Sequence, residues 1–187
     1  TNGSCTVQYG ETVVLSTVVI SGQARAAIDY FPLMVDFEEK LYAAGKIKGA
    51  RFIKREGRAS DEAVLSGRLV DRSIRPLFNE KIRNDVQIIN TVLSFDTEND
   101  PDVLSLIAAS CALHLSDVPW AGPIAGVRIS RLPPELNEEK TGWAINPSYE
   151  IRGKSDLDLV IAGTTEKIIM IEAGAKIVPE ADLFEAI

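Results

Sequence analysis

The sequence predicts an α+β fold, an α/β sandwich in which mixed sheets pack with helices, and three observations carry that expectation. Residues 12–20, Thr-Val-Val-Leu-Ser-Thr-Val-Val-Ile, are dense in the β-branched side chains that fit a pleated surface. Two segments carry helix-start signals, Ser60-Asp61-Glu62 and Asp100-Pro101. The periodic segments then succeed one another as strands, helix, strand, helix and strands, an order that builds layers rather than a bundle or an all-β barrel.

Taken in order, residues 5–9 and 12–20 read as two strands around a turn at Gly10-Glu11, and 31–37 as a third. From Glu38 to Arg58 the chain is basic and punctuated by Gly45, Gly49 and Gly57, which predicts loop with at most one helical turn. Ser60 then caps a helix whose first turn, Asp61 and Glu62, suits the dipole; it runs to about Ile74 and stops before Pro76. Residues 86–95 are a strand by content, and Asp100-Pro101 opens an apolar helix through Leu115. Segments 123–132 and 143–145 form a hairpin around an acidic loop at 133–142. Segments 157–162 and 167–173 form a second around Gly163-Thr164-Thr165-Glu166. Pro179-Glu180 starts a last helix.

A chain of 187 residues with 45% hydrophobic and 25% charged residues can build a substantial core, which excludes disordered and fibrous classes. No apolar run approaches the ~18–20 residues of a membrane span, and no signal peptide is visible, so a cytoplasmic protein without membrane attachment is expected. The chain lacks an initiator Met and enters strand pattern almost at once, as expected of a fragment. Cys5 and Cys111 read as reduced, buried thiols rather than a disulfide framework. His114, the single histidine, stands in an apolar helix and reads as a core or interface residue, leaving a Ser-His-Asp triad or His-rich metal site without support. Gly45-Lys46 lacks the rest of a phosphate-binding loop. The alternating acids Asp96, Glu98, Asp100 and Asp102 have Pro101 where a calcium loop needs glycine, and read as helix-capping loop.

Charge distribution is the first functional clue. The net charge is −7, yet between Lys40 and Arg83 twelve basic residues face five acidic ones, leaving the remainder strongly negative. Arg68, Arg72 and Arg75 are spaced to share one helix face, with Leu65 and Leu69 beside them as core anchors and Asp71 placed to neutralise one arginine only. Upstream, Phe52-Ile53-Lys54-Arg55-Glu56-Gly57-Arg58 sets an aromatic ring beside three cations. Bases stack on rings and guanidinium groups bind phosphates, so the composition fits a grip on single-stranded nucleic acid. The competing reading of the arginine stripe is a solvated face or a structural cluster paired with the chain's own acids.

Three ordered blocks carry a resemblance: residues 42–47 (Tyr-Ala-Ala-Gly-Lys-Ile), residues 52–58, and residues 68–78 (Arg-Leu-Val-Asp-Arg-Ser-Ile-Arg-Pro-Leu-Phe). Gly122-Pro123-Ile124 and residues 158–164 are later landmarks. Over nearly its whole length the chain resembles the first RNase PH-like core domain of bacterial polynucleotide phosphorylases. In that family's RNA loop two aromatics precede the cations; here Ile53 stands at the second. The resemblance implies one RNase PH-like core over 1–187, truncated at its N-terminus and before a helical linker, with a ribosomal-protein-like β-α-β-α arrangement. It implies a full-length enzyme that degrades RNA from its 3′ end using inorganic phosphate and Mg2+, releases nucleoside diphosphates, and assembles as a homotrimeric ring around a channel for single-stranded RNA. Phe52, Lys54, Arg55 and Arg58 would line the channel, with Arg68, Arg72 and Arg75 as a second phosphate-binding face or a support.

The same resemblance places the catalytic phosphate and metal site in a second core, so no catalytic or metal-binding residue and no cofactor is expected in this chain. Asp156 and Asp158 match two carboxylates of a family metal strand, but Val160 stands at that strand's lysine position. Paired acids can hold a metal; the other reading makes them strand-entry acids of a degenerate copy. The alternative function is a catalytically inert RNA-channel or ring-assembly domain like exosome ring subunits. A third is an acidic globular domain whose arginines balance its own carboxylates.

Overall fold

The computed structural model describes residues 1–47, 58–132 and 142–187. The first half is built on β1 (Gly3–Tyr9), β2 (Thr12–Ala24), β3 (Leu33–Glu39), α1 (Asp61–Ile74) and β4 (Asn84–Ser94). α2 (Pro101–His114) leads to β5 (Ala125–Arg131), β6 (Trp143–Ile145), α3 (Tyr149–Lys154), β7 (Leu157–Gly163), β8 (Ile168–Ala175) and α4 (Glu180–Ala186). Among these, the strands form two four-stranded sheets, ordered β1-β2-β4-β3 and β6-β5-β7-β8. The second is antiparallel throughout, whereas β3 and β4 run parallel, a pairing that needs a crossover; α1 supplies it.

Strict alternation governs β2, where Thr12, Val14, Ser16 and Val18 point inward and the residues between them outward. α2 is buried along most of its length because it lies between the sheets, against β1, β2 and β4 on one side and β5 on the other. One apolar cluster accordingly joins both halves, from Val18 and Ile88 through Leu106 and Leu113 to Val160 and Met170. A second lies under α1 and α2, with Val14, Phe37 and Leu104; a third lies between the second sheet and α4, with Leu157 and Leu159. Gly67 lets α1 approach β3, since a Cβ there would stand 3.2 Å from the Val35 carbonyl oxygen.

Several expectations shift. The third strand begins at Leu33, not at residue 31, because Pro32 has no amide hydrogen to donate; Phe31 is instead a core anchor stacked 4.8 Å from Phe78. Leu69 is buried, but Leu65 is 62% exposed, lining an open cavity between α1 and the second sheet rather than packing in the core. His114 is exposed: it falls on the last turn of α2, where the helix leaves the sandwich. Cys5 and Cys111 are only half-buried. α3 has no counterpart in the sequence reading. It is six residues long, includes Gly153, and is held by tertiary contacts, notably the Tyr149 ring edge-on to Phe95 at 6.0 Å.

Candidate nucleic-acid interface and the paired carboxylates

Helix α1 begins where the sequence places it. The Ser60 hydroxyl accepts from the Ala63 amide at 3.0 Å and donates to Glu39 at 2.7 Å, tying the helix start to the end of β3. Arg58 lies just before this cap, exposed, beside a cavity of about 550 Å³ that Asp36, Glu38 and Lys40 also line. Phe52, Lys54 and Arg55 lie outside the described residues.

The three stripe arginines are all exposed, and the fold treats each differently. Arg75 grips Asp71 through Nε at 3.0 Å and Nη2 at 2.6 Å, and it also donates to the carbonyls of Leu33 at 3.1 Å and Phe31 at 3.4 Å. Its guanidinium lies 6.0 Å from the Phe31 ring centre, so one side chain fastens the end of α1 to the entry of β3. Arg72 reaches Glu172 on β8 at 2.7 Å and joins the two halves. Arg68 has no hydrogen bond or ion pair among the described residues and stands on the outer face of α1 beside Val64. A free fork next to half-exposed apolar surface can bind a phosphate without first breaking an internal pair.

The acids form a different centre. Arg128, 8% exposed, donates to Asp102 at 2.5 Å and to Asp158 at 2.8 Å, and lies 3.3 Å from Asp100. Arg152 donates to Asp100 and, at 3.1 Å, to Asp158, while its guanidinium covers the Tyr149 ring at 5.0 Å. Burial pushes the Asp102 carboxyl up to about 7, helped by the charge of Asp100, and the pull of Arg128 does not reverse this. Burial and the same acids raise the Tyr149 hydroxyl, which stays protonated. Arg131 donates to Asp156 through Nε and Nη2 and to Asp182 of α4 through Nη1 at 2.5 Å; the bonding to Arg131 draws Asp156 below the usual carboxylate range.

The sequence reading missed this network. Its signal is on β5, where Gly126, Arg128 and Ser130 form the buried alternate set: an arginine on a core face requires buried acids to meet it. Among the described residues three atoms near it have no hydrogen-bond partner, Arg128 Nε, Ser130 Oγ and Asp158 Oδ1, with Ser130 and Asp158 paired across β5 and β7. These groups offer an ordered water its polar contacts. Arg128 and Asp158 also line a cavity of about 560 Å³ whose walls carry Arg152 and the acids Glu39, Glu62, Asp100 and Glu172, so acids outnumber arginines there.

The residues do not fit a catalytic divalent ion. Asp156 and Asp158 are held by Arg131, Arg128 and Arg152, and among the described residues no group of three His, Cys, Asp or Glu side chains could hold a metal. Val160 is buried in the central cluster, offering no charge to a phosphate. The chemistry available is cation-to-phosphate contact on the α1 side and structural ion pairing beneath it.

Two four-stranded sheets enclosing a buried helix, with an arginine-bearing crossover helix at one side, define an α+β protein of the RNase PH type. The chain belongs to the 3′ exoribonuclease family, whose domain 1 matches residues 1–119 and whose domain 2 matches residues 122–187. It is 53% identical over 185 residues to the polyribonucleotide nucleotidyltransferase of Heliobacterium modesticaldum, covering 99% of this chain and 25% of that protein. It is 52% identical over 186 residues to that of Thermomicrobium roseum, covering 100% of this chain and 22% of the relative. The chain thus spans about a quarter of the length of these relatives. Rice (Oryza sativa) Rrp46 shares the fold with a TM-score of 0.74 at 12% identity, over 98% of this chain and 79% of that one. A chain of the Archaeoglobus fulgidus exosome with RNA bound to the active site does so with a TM-score of 0.70 at 18% identity, over 98% and 76%. Among the described residues no helix is long and apolar enough to cross a membrane.

Proposed function

We propose that this chain is the RNA-gripping core of a phosphate-dependent 3′-to-5′ exoribonuclease, a polyribonucleotide nucleotidyltransferase that releases nucleoside diphosphates during RNA degradation. The observation that carries the reading is the division of labour among charges. The acids that match a metal strand are spent on Arg128, Arg131 and Arg152, whereas Arg58 and Arg68 stand exposed on either side of the Ser60 cap, next in sequence to Phe52, Lys54 and Arg55. Residues 1–187 act as one core that holds single-stranded RNA. Arg72 and Arg75 support the grip, and Mg2+ and inorganic phosphate act elsewhere in the full-length enzyme, a cytoplasmic homotrimer.

The test uses the full-length protein. Binding of single-stranded RNA across a salt series should lose about 0.7 in log–log slope for each phosphate contact removed by Arg55→Ala or Arg68→Ala. Phe52→Ala should cost roughly 1–3 kcal/mol with the slope unchanged, as expected of a stacked base. Phosphate-dependent release of nucleoside diphosphate should accompany the full chain and be absent from residues 1–187 alone. Release by the latter would move the active site into this chain; unchanged affinity and slope for Arg55→Ala and Arg68→Ala would remove the grip.

A further inference from the structure

Among the described residues β1 is an edge strand, paired only with β2, and it lies close against α2. A Cβ on Gly3 would fall 2.2 Å from the Ala112 carbonyl oxygen and 2.9 Å from the Ser116 Cβ. Four residues on, Val7 packs on the cluster that contains Leu104 and Ala108. From Gly3 to Val7 the strand advances about 13 Å, the length of about nine helical residues, so it runs along α2 from Ala112 towards Leu104. Gly3, Cys5 and Val7 share the face turned to the helix; Leu104, Ala108, Cys111 and Ala112 share the helix face turned to the strand. Cys5 is therefore delivered to the stretch of α2 that carries Cys111, its Sγ donating to the Thr6 carbonyl at 3.8 Å, and it packs on the same apolar cluster as Ala109 and Ala112, the neighbours of Cys111 on that turn. Both are half-buried and free.

We propose that Cys5 and Cys111 are a reversible thiol–disulfide site, closed by exchange with a low-molecular-weight disulfide and locking the edge strand β1 onto α2. The more accessible order of events follows from the thiols themselves. Burial and the neighbouring Cys5 push the Cys111 thiol up, so Cys111 is the resolving rather than the attacking group. The Cys5 thiolate attacks one sulfur of the small disulfide, forming a mixed disulfide and expelling one small thiolate, which takes up the proton lost by Cys5. Cys111 then attacks the Cys5 sulfur, the Cys5–Cys111 bond forms, and the second small thiol departs with the Cys111 proton. Two protein thiols are oxidised and one small disulfide is reduced to two thiols. Reversal needs only an excess of small thiol.

The experiment treats the full-length protein with oxidised glutathione under native conditions, followed by thiol blocking, proteolysis and mass spectrometry. The expected product is a cross-link between the peptides carrying Cys5 and Cys111, lighter by two hydrogen atoms than the reduced pair and cleaved by dithiothreitol. Cys111→Ser should stop at glutathione on Cys5, and Cys5→Ser should leave Cys111 unmodified. In residues 1–187, where folding is verified by circular dichroism, oxidation should raise Tm by about 5–15 °C, as expected for closing a long loop in a chain of this size. A wild-type protein that stops at mixed disulfide on Cys5, cross-links between molecules, or reacts only when denatured overturns the proposal.

Discussion

Replacing Arg128 with alanine should be among the most damaging single changes in the chain. The side chain is 8% exposed and neutralises Asp102, Asp158 and Asp100 at 2.5, 2.8 and 3.3 Å. Arg152 still serves Asp100 and Asp158 after the change, but Asp102 loses its only ion-pair partner among the described residues. Removing one member of a buried pair costs about 3–5 kcal/mol, because the other charge stays desolvated. In a chain of this length that corresponds to a fall in Tm of roughly 6–20 °C. The pH dependence identifies the cause. Asp102 titrates near 7 in the folded state, above the ordinary 3.8, so the native protein holds a proton that the unfolded chain has released. Stability from this group is therefore greatest below about 4 and declines as pH rises towards 7. Without Arg128 the carboxyl rises further, so the deficit of the variant should be small at pH 5 and larger at pH 8. Thermal melts by circular dichroism at both values give the answer. A deficit of equal size at the two pH values would refute the electrostatic account and leave lost packing as the cause.

Arg75→Ala should lower Tm more than it weakens RNA binding, because its fork is occupied by Asp71 and two backbone carbonyls and it acts on the grip only by bracing α1; Arg68→Ala should do the reverse. Melting and RNA titration of the same samples separate the two. Ser60→Ala should cost about 1 kcal/mol in urea unfolding through loss of the α1 cap. Asp96 loses some ionisation to burial but accepts hydrogen bonds from the Asn99 amide and side chain and from the Glu98 and Glu11 amides, which together hold it well below the usual carboxylate range. Its contribution is complete above the ordinary value of 3.8 and is lost as pH falls through the lowered one, so Asp96→Asn should flatten the acid limb of a pH–stability curve.

The local elements were legible because their causes are local. The β-branched run at 12–20 is strand, Ser60 caps α1, and Asp100 with Pro101 opens α2. Each depends on neighbours a few residues away. α3 escaped because a six-residue helix draws its stability from Phe95 and Asp100, far from it along the chain. Leu65 as a core anchor, and the core alternative for His114, were misplaced because hydrophobic spacing locates a helix face without showing where the helix emerges from its neighbours.

The sequence by itself determined the layered α+β class, the helix caps, the concentration of positive charge between Lys40 and Arg83, and the motifs that led to the exoribonuclease family. Only the tertiary structure decided which charges stay available. Arg72 meets Glu172 across 100 residues of chain, Arg128 gathers acids from α2 and β7, and Arg68 meets none among the described residues. Coulombic pairing depends on distance in space and on the water excluded around each group, and neither quantity is a function of spacing along a chain.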